Sequence, residues 1–308
     1  MGKATDIIDE VKKVICGKDD VITMVLTGML SNGHILIEDV PGVGKTTMAL
    51  SFSRVMGLDY GRVQFTPDVL PSDITGFSIF DKEKGTMVYQ QGAVFHNLFL
   101  ADELNRASSR TQSALLEAME ERQVTVDGNT YQLPNPFVVF ATQNPSGASG
   151  TSLLPDSQMD RFTIKISMGY PSMKDEMEMV KTRKSGNPIE SLEQVISSKE
   201  FLEMQKEVTE VHMDDKVLKY IVALVGQTRA SELLERGASP RATLDLANMS
   251  KAHAYVSGKS FVTPNDVKAV FDSTITHRVL LSPNAEMDGV SASEAIEEVI
   301  KFVAAPRV

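Results

Sequence analysis

The chain has 308 residues, a formal net charge of −10, and 42% hydrophobic and 23% charged residues, the balance of a soluble globular protein long enough for two domains. No run nears the roughly 20 apolar residues of a membrane-spanning helix, and the N-terminal stretch MGKATDIIDEVKK predicts no secretory leader. The acidic balance argues against a protein that mainly grips nucleic-acid phosphates, and the single cysteine, Cys16, rules out an intrachain disulfide and suits a reducing cytoplasm.

The apolar neighbours Val14 and Ile15 predict that Cys16 is a buried packing residue. Residues 34–38 (HILIE) then read as a buried strand, followed by a glycine-rich turn and a helix over 46–56. A second strand is predicted at 62–65 (RVQF). Residues 76–92 and 123–133 read as β-hairpins, the second around the turn pair Asp127-Gly128. Between them lie a strand at 97–102 (NLFLAD) and a helix over 108–122. Strands at 137–142 (FVVFAT) and 162–167 (FTIKIS) complete a set of five. Continuously apolar strands alternating with helices predict an α/β layered domain with a parallel sheet covered on both faces.

Beyond Pro171 the strand signals nearly vanish. Val217, Leu218, Ile221, Leu224 and Val225 recur at helical spacing, and Ser239-Pro240 and Thr263-Pro264 read as helix N-caps followed by proline. Another helix is predicted over 293–303. The domain boundary is expected where Pro171, Gly186 and Pro188 cluster. The division is 1–170 for an α/β nucleotide-binding domain and 171–308 for a small all-α domain.

The strongest chemical signal is Asp39-Val40-Pro41-Gly42-Val43-Gly44-Lys45-Thr46, which follows a strand and opens a helix. Glycines at 42 and 44 let the backbone wrap phosphate oxygens, with N–H groups facing the anion. Pro41 to Thr47 are the predicted nucleotide contacts: Pro41, Gly42, Val43, Gly44, Lys45, Thr46 and Thr47. Lys45 can reach the β and γ phosphates of ATP, and the Thr46 hydroxyl can ligate Mg²⁺. The usual first glycine of the pattern is Asp39 here.

Asp102 and Glu103 end a buried strand, where charges need a partner or a metal. Beside a phosphate loop, Asp102 would hold Mg²⁺ and Glu103 would activate the attacking water. Asn144 follows the next strand. If that strand lies between the phosphate-loop strand and the acidic strand, Asn144 projects toward the γ phosphate. Arg161, ahead of the last strand, and Arg241, in the first turn of a helix where the dipole disfavours a cation, are candidates for phosphate contact within or between subunits. Arg106 and Arg110 are further candidates. His34 lacks metal-ligand spacing and reads as structural.

These motifs, in this order, resemble the MoxR family of AAA+ ATPases. GHILIEDVPGVGKTT, VQFTPDVLPSDITG, NLFLADELNRASSRTQSALLEAMEERQVTVDG, FVVFATQNP, LPDSQMDRF and GASPRATLDL carry the resemblance. It implies an AAA+ sheet with the phosphate-loop strand central, a helix-two insert at 76–92, a hairpin before sensor 1 at 123–133, and a helical lid. It further implies Asn144 as sensor 1, Arg161 as arginine finger and Arg241 as sensor 2 in a neighbour's or its own site. A homo-hexameric ring, a protein client, and a partner with a von Willebrand factor A domain follow from the family. The alternatives are a nucleic-acid motor like the helicase relatives, disfavoured by the charge, and a nucleotide-gated assembly scaffold.

Overall fold

The computed structural model describes residues 2–144, 154–182 and 188–307. Pro145 of the Asn-Pro pair and Gly186 of the boundary cluster lie outside the described residues. Two helices, α1 (Lys3–Lys12) and α2 (Asp19–Leu30), precede the first strand. Then come β1 (Ile35–Glu38), α3 (Lys45–Val55), β2 (Tyr60–Gln64) and α4 (Pro71–Thr75). A hairpin of β3 (Gly76–Asp81) and β4 (Thr86–Gln91) leads to β5 (Leu98–Asp102) and α5 (Ser109–Glu121). A second hairpin of β6 (Gln123–Val126) and β7 (Asn129–Gln132) leads to β8 (Val138–Gln143), α6 (Asp156–Met159) and β9 (Ile164–Ile166).

The remainder holds α7 (Met173–Thr182), α8 (Ser198–Glu210), α9 (Asp215–Thr228), β10 (Leu234–Arg236) and α10 (Pro240–Val256). It closes with α11 (Pro264–Ile275), β11 (Leu280–Leu281), α12 (Pro283–Met287) and α13 (Ala292–Phe302). The antiparallel β10–β11 ribbon is a small departure from the all-α expectation for this half.

Five strands form one parallel sheet in the order β2-β5-β8-β1-β9. The strand ahead of the glycine turn is therefore flanked on both sides, and β8 separates it from the acidic strand. The central strands β5 and β8 are buried along their whole length because each face meets a different layer. Ile35, Ile37, Leu98, Leu100, Val138 and Phe140 join one apolar cluster with α1, α2 and α3. Their neighbours Leu36, Phe99, Ala101, Val139 and Ala141 pack on Leu115, Leu116 and Met119 of α5. The first cluster runs on unbroken into the helical half through Phe201, Leu224, Leu246 and Phe271.

Local chemistry sets the element ends. Ser108 caps α5 by accepting from the Thr111 N–H at 3.3 Å. Ser239 occupies the N-cap of α10, but its hydroxyl does not cap the helix; it donates to Asp160 Oδ2 at 3.0 Å. Asp127 and Gly128 take φ of 51° and 78°, the paired positive values of a type I′ turn. The two hairpins are joined by Tyr89 and Tyr131, whose rings stack at 3.8 Å.

Candidate nucleotide site

The glycine turn leaves β1 and enters α3 through Gly44, which holds φ 102° at the helix N-cap, after Gly42 at φ 89°. Such angles are open to glycine and strained for other residues, so the turn keeps its backbone amides free to wrap an anion. A side chain at Gly42 would meet no heavy atom within 4 Å, so the loop faces open space there.

Asp39 accounts for the missing first glycine. It is not among the positive-φ residues, so glycine is not required there. Its carboxylate accepts hydrogen bonds from Ser167 Oγ at 2.8 Å and from the N–H groups of Met168 and Gly169 at 2.7 and 2.6 Å. Asp39 therefore clips the start of the turn to the segment leaving β9. Burial opposes ionisation of Asp39, but the donors of Gly169, Ser167, Val40 and Met168 outweigh it and hold the pKa below the usual carboxyl value.

Lys45 points its ammonium at the Asp39 carbonyl, 2.5 Å away, and lies 3.4 Å from Oδ1 of Asn144. Burial depresses its pKa, while the charges of Asp39, Asp102, Glu103 and Glu38 oppose that shift. Asn144 in turn donates its side-chain amide to Glu103 Oε1 at 3.2 Å. The order of strands thus brings Lys45, Asn144 and Glu103 into one chain of contacts, although 99 residues separate Lys45 from Asn144.

Glu103 has φ 57° and ψ 46°, left-handed for a non-glycine residue. This bend lifts its side chain out of the strand path just as the chain turns into the short helix Leu104–Arg106. Its backbone N–H donates to Thr142 Oγ1 at 2.8 Å, and the Thr142 hydroxyl donates to Asp102 Oδ1 at 2.6 Å. Thr142 was not singled out by motif; a hydroxyl ending an apolar strand is the signal that marks it. Arg106 pairs with Glu103 Oε2 at 2.7 Å, and Arg62 on β2 pairs with Asp102 Oδ2 at 2.7 Å. Arg62 also escapes sequence reasoning, because its partner lies across the sheet. Among the described residues the Arg110 side chain makes no hydrogen bond or ion pair with Lys45, Asp102, Glu103 or Asn144.

Thr46 follows Lys45 in the first turn of α3, and Asp102 ends β5 with Oδ1 accepting from Thr142 and Oδ2 paired with Arg62, so a metal ion held by these two oxygens would share Asp102 with those partners. So small a protein donor set suits Mg²⁺, which keeps waters and takes phosphate oxygens. Against the loop lies a small apolar cavity of about 80 Å³ lined by Val14, Ile15, Cys16, Gly42, Val43, Thr47, Met168 and Met179. Cys16 is thus half-buried at a cavity wall rather than in the core, and burial followed by the charges of Asp175 and Glu178 pushes its thiol pKa up. A raised pKa keeps the thiol protonated and unreactive.

Arg161 and Arg241 meet neither Lys45 nor the acid pair through any hydrogen bond or ion pair among the described residues. They converge instead on Glu120 near the end of α5, at 3.2 Å and 3.0 Å. His34 is structural as expected: its Nδ1 accepts from the Val139 N–H and its Nε2 lies 3.1 Å from the Met119 carbonyl. Burial, then the Arg122 charge, lowers its pKa to about 3.

A glycine-wrapped lysine, an acid pair two strands away, an amide on the strand between and a helical lid define an AAA+ nucleotide hydrolase. Residues 34–164 match the family model of the ATPase family associated with various cellular activities, and residues 226–307 match the AAA lid domain. The chain is 39% identical to Chaperone MoxR1 of Mycobacterium tuberculosis over 98% of this chain and 82% of that protein. It is 43% identical to the uncharacterised protein YeaC of Bacillus subtilis, over 99% and 95% of the two chains. A crystal structure of an inferred ATPase from Cytophaga hutchinsonii superposes with a TM-score of 0.91 at 38% identity, covering 99% and 95%. The chain belongs to the MoxR family of AAA+ ATPases, and its reaction is the hydrolysis of ATP.

Proposed function

We propose that the chain is a ring-forming, Mg²⁺-dependent ATPase that spends hydrolysis on remodelling or activating a protein client. The observation that carries the catalytic part is the contact chain Lys45–Asn144–Glu103. Amides of Gly42 to Thr47 cradle the phosphates of ATP, and Lys45 neutralises the β and γ oxygens. The apolar cavity beside the loop suits the base. Thr46 and Asp102 hold Mg²⁺, which when bound neutralises charge building on the phosphates. Glu103 orients and deprotonates water, and Asn144 holds both Glu103 and that water in line.

The lid arginine Arg241 and the finger arginine Arg161 act on a neighbouring copy's nucleotide. Their pairing at Glu120, away from Lys45, supports this reading. A closed ring, a homo-hexamer by family resemblance, gives each site such a neighbour. The residues 1–170 form the motor and 171–308 the lid. The β3–β4 hairpin exposes Phe77 and Ile79 on one face and Phe80 and Met87 on the other, apolar surface that supports contact with a protein client or with a partner bearing a von Willebrand factor A domain. The Mycobacterium relative carries the name of a chaperone.

The test combines mass measurement with turnover. ATP and Mg²⁺ should convert the protein to a larger assembly whose turnover per chain rises with concentration. A mass that stays that of a single chain with ATP and Mg²⁺ at every concentration would refute the ring. Capture of a client by Glu103→Gln with ATP, and its absence with ADP, checks the remodelling role.

A further inference from the structure

Glu120 offers the two oxygens of one carboxylate to two arginines from distant parts of the chain. Oε2 lies 3.2 Å from Nε of Arg161, in the loop ahead of β9. Oε1 lies 3.0 Å from Nη1 of Arg241, in the first turn of α10. Two guanidiniums side by side repel, and the N-terminus of α10 adds a positive dipole end to the same place. A carboxylate between them is what lets the pair form.

The geometry also leaves the pair usable. Each guanidinium carries five N–H donors. Arg161 approaches Glu120 through Nε as an ion pair and Arg241 donates to it through Nη1, and among the described residues neither guanidinium makes a further side-chain hydrogen bond. Arg161 lines an open cleft of about 630 Å³ together with Glu117, Glu120, Glu121, Ser157 and Gln158, and the Arg241 side chain is itself 36% exposed. Glu120 sits roughly 16 Å along α5 from its first residue, so the held pair lies well away from its own acid pair.

We infer that Glu120 is a positioning residue for ATP hydrolysis, gripping Arg161 and Arg241 from behind as one fork whose free donors reach the γ phosphate bound by a second copy. The inference rests on the reading that both arginines act across the interface. Phosphate recognition by two guanidiniums demands fixed planes and spacing, and misplacement by about 1 Å can cost on the order of a hundredfold in rate. Each arm is partly exposed, with side-chain exposures of 32% and 36% for the arginines and 41% for Glu120. Such pairs add little to stability, so Glu120 serves orientation rather than folding.

A mutant cycle in the assembled protein separates the cases. Glu120→Ala should lower kcat at saturating ATP about tenfold or more and leave the Kd for ATP unchanged. Glu120→Gln, which keeps the shape and two polar atoms, should lie between. In the Arg161→Ala/Arg241→Ala background, Glu120→Ala should change nothing further. Unchanged kcat in both Glu120 variants, with kcat lost in the arginine double variant, overturns the inference and spares the arginine reading. Normal kcat in the arginine double variant overturns that reading itself. An added loss in the triple variant shows that Glu120 acts by another route and also overturns the inference.

Discussion

Asn144 donates its side-chain amide to Glu103 at 3.2 Å, across two neighbouring strands of the sheet. A carboxylate proposed to take a proton from water gains direction from that bond: Arg106 holds Oε2 at 2.7 Å, and Asn144 fixes Oε1. The same amide group lies 3.4 Å from Lys45, so one side chain touches both the lysine proposed for phosphate binding and the carboxylate proposed as base.

Replacing Glu103 by Gln keeps size and the contact to Asn144 but removes the base. Turnover should fall by about a hundredfold or more, with ATP affinity kept. Phosphate-release kinetics beside a nucleotide-binding titration check both halves, and normal turnover would reject the assigned role.

Asn144→Ala removes a hydrogen bond to a charged group, worth about 1.5–3 kcal/mol, or on the order of ten- to a hundredfold in kcat. Steady-state kinetics should show the loss in kcat more than in KM. A change confined to KM would place Asn144 in substrate binding alone.

Thr142→Val is nearly the same shape, yet it strips the buried link between the Glu103 N–H and Asp102. Unfolding by urea should show a loss of about 1–3 kcal/mol for the orphaned groups. An unchanged midpoint would show that water replaces the hydroxyl.

Asp39 predicts a pH dependence. Its pKa is lower in the folded chain than the usual 3.8, so the ionised form contributes stability above that value. The contribution is lost as pH falls through the folded pKa. Melting of the wild type and Asp39→Asn should therefore differ by a constant amount near neutral pH, and the gap should narrow below about pH 4. A gap independent of pH down to acid unfolding would contradict the clip.

Much of the molecule was legible along the chain. The five strands, α3, α5, both hairpins and the helices around Pro240 and Pro264 follow from local chemistry: apolar runs, turn pairs and caps. The glycine turn and the acid pair were legible for the same reason, since each is a set of neighbours. What escaped was α1 and α2, whose apolar faces have no motif, and the partners Arg62, Thr142 and Glu120, whose meaning lies entirely in what they touch.

The sequence by itself determined the phosphate loop, the covered parallel strands and the helical second half, because spacing over a few residues decides backbone shape and which faces are apolar. Tertiary structure alone decided that β8 lies between β5 and β1, that Asp39 grips the end of β9, and that Arg161 and Arg241 share Glu120. Those relationships join residues far apart in the chain, and only the packing of layers on both faces of the sheet sets which of them meet.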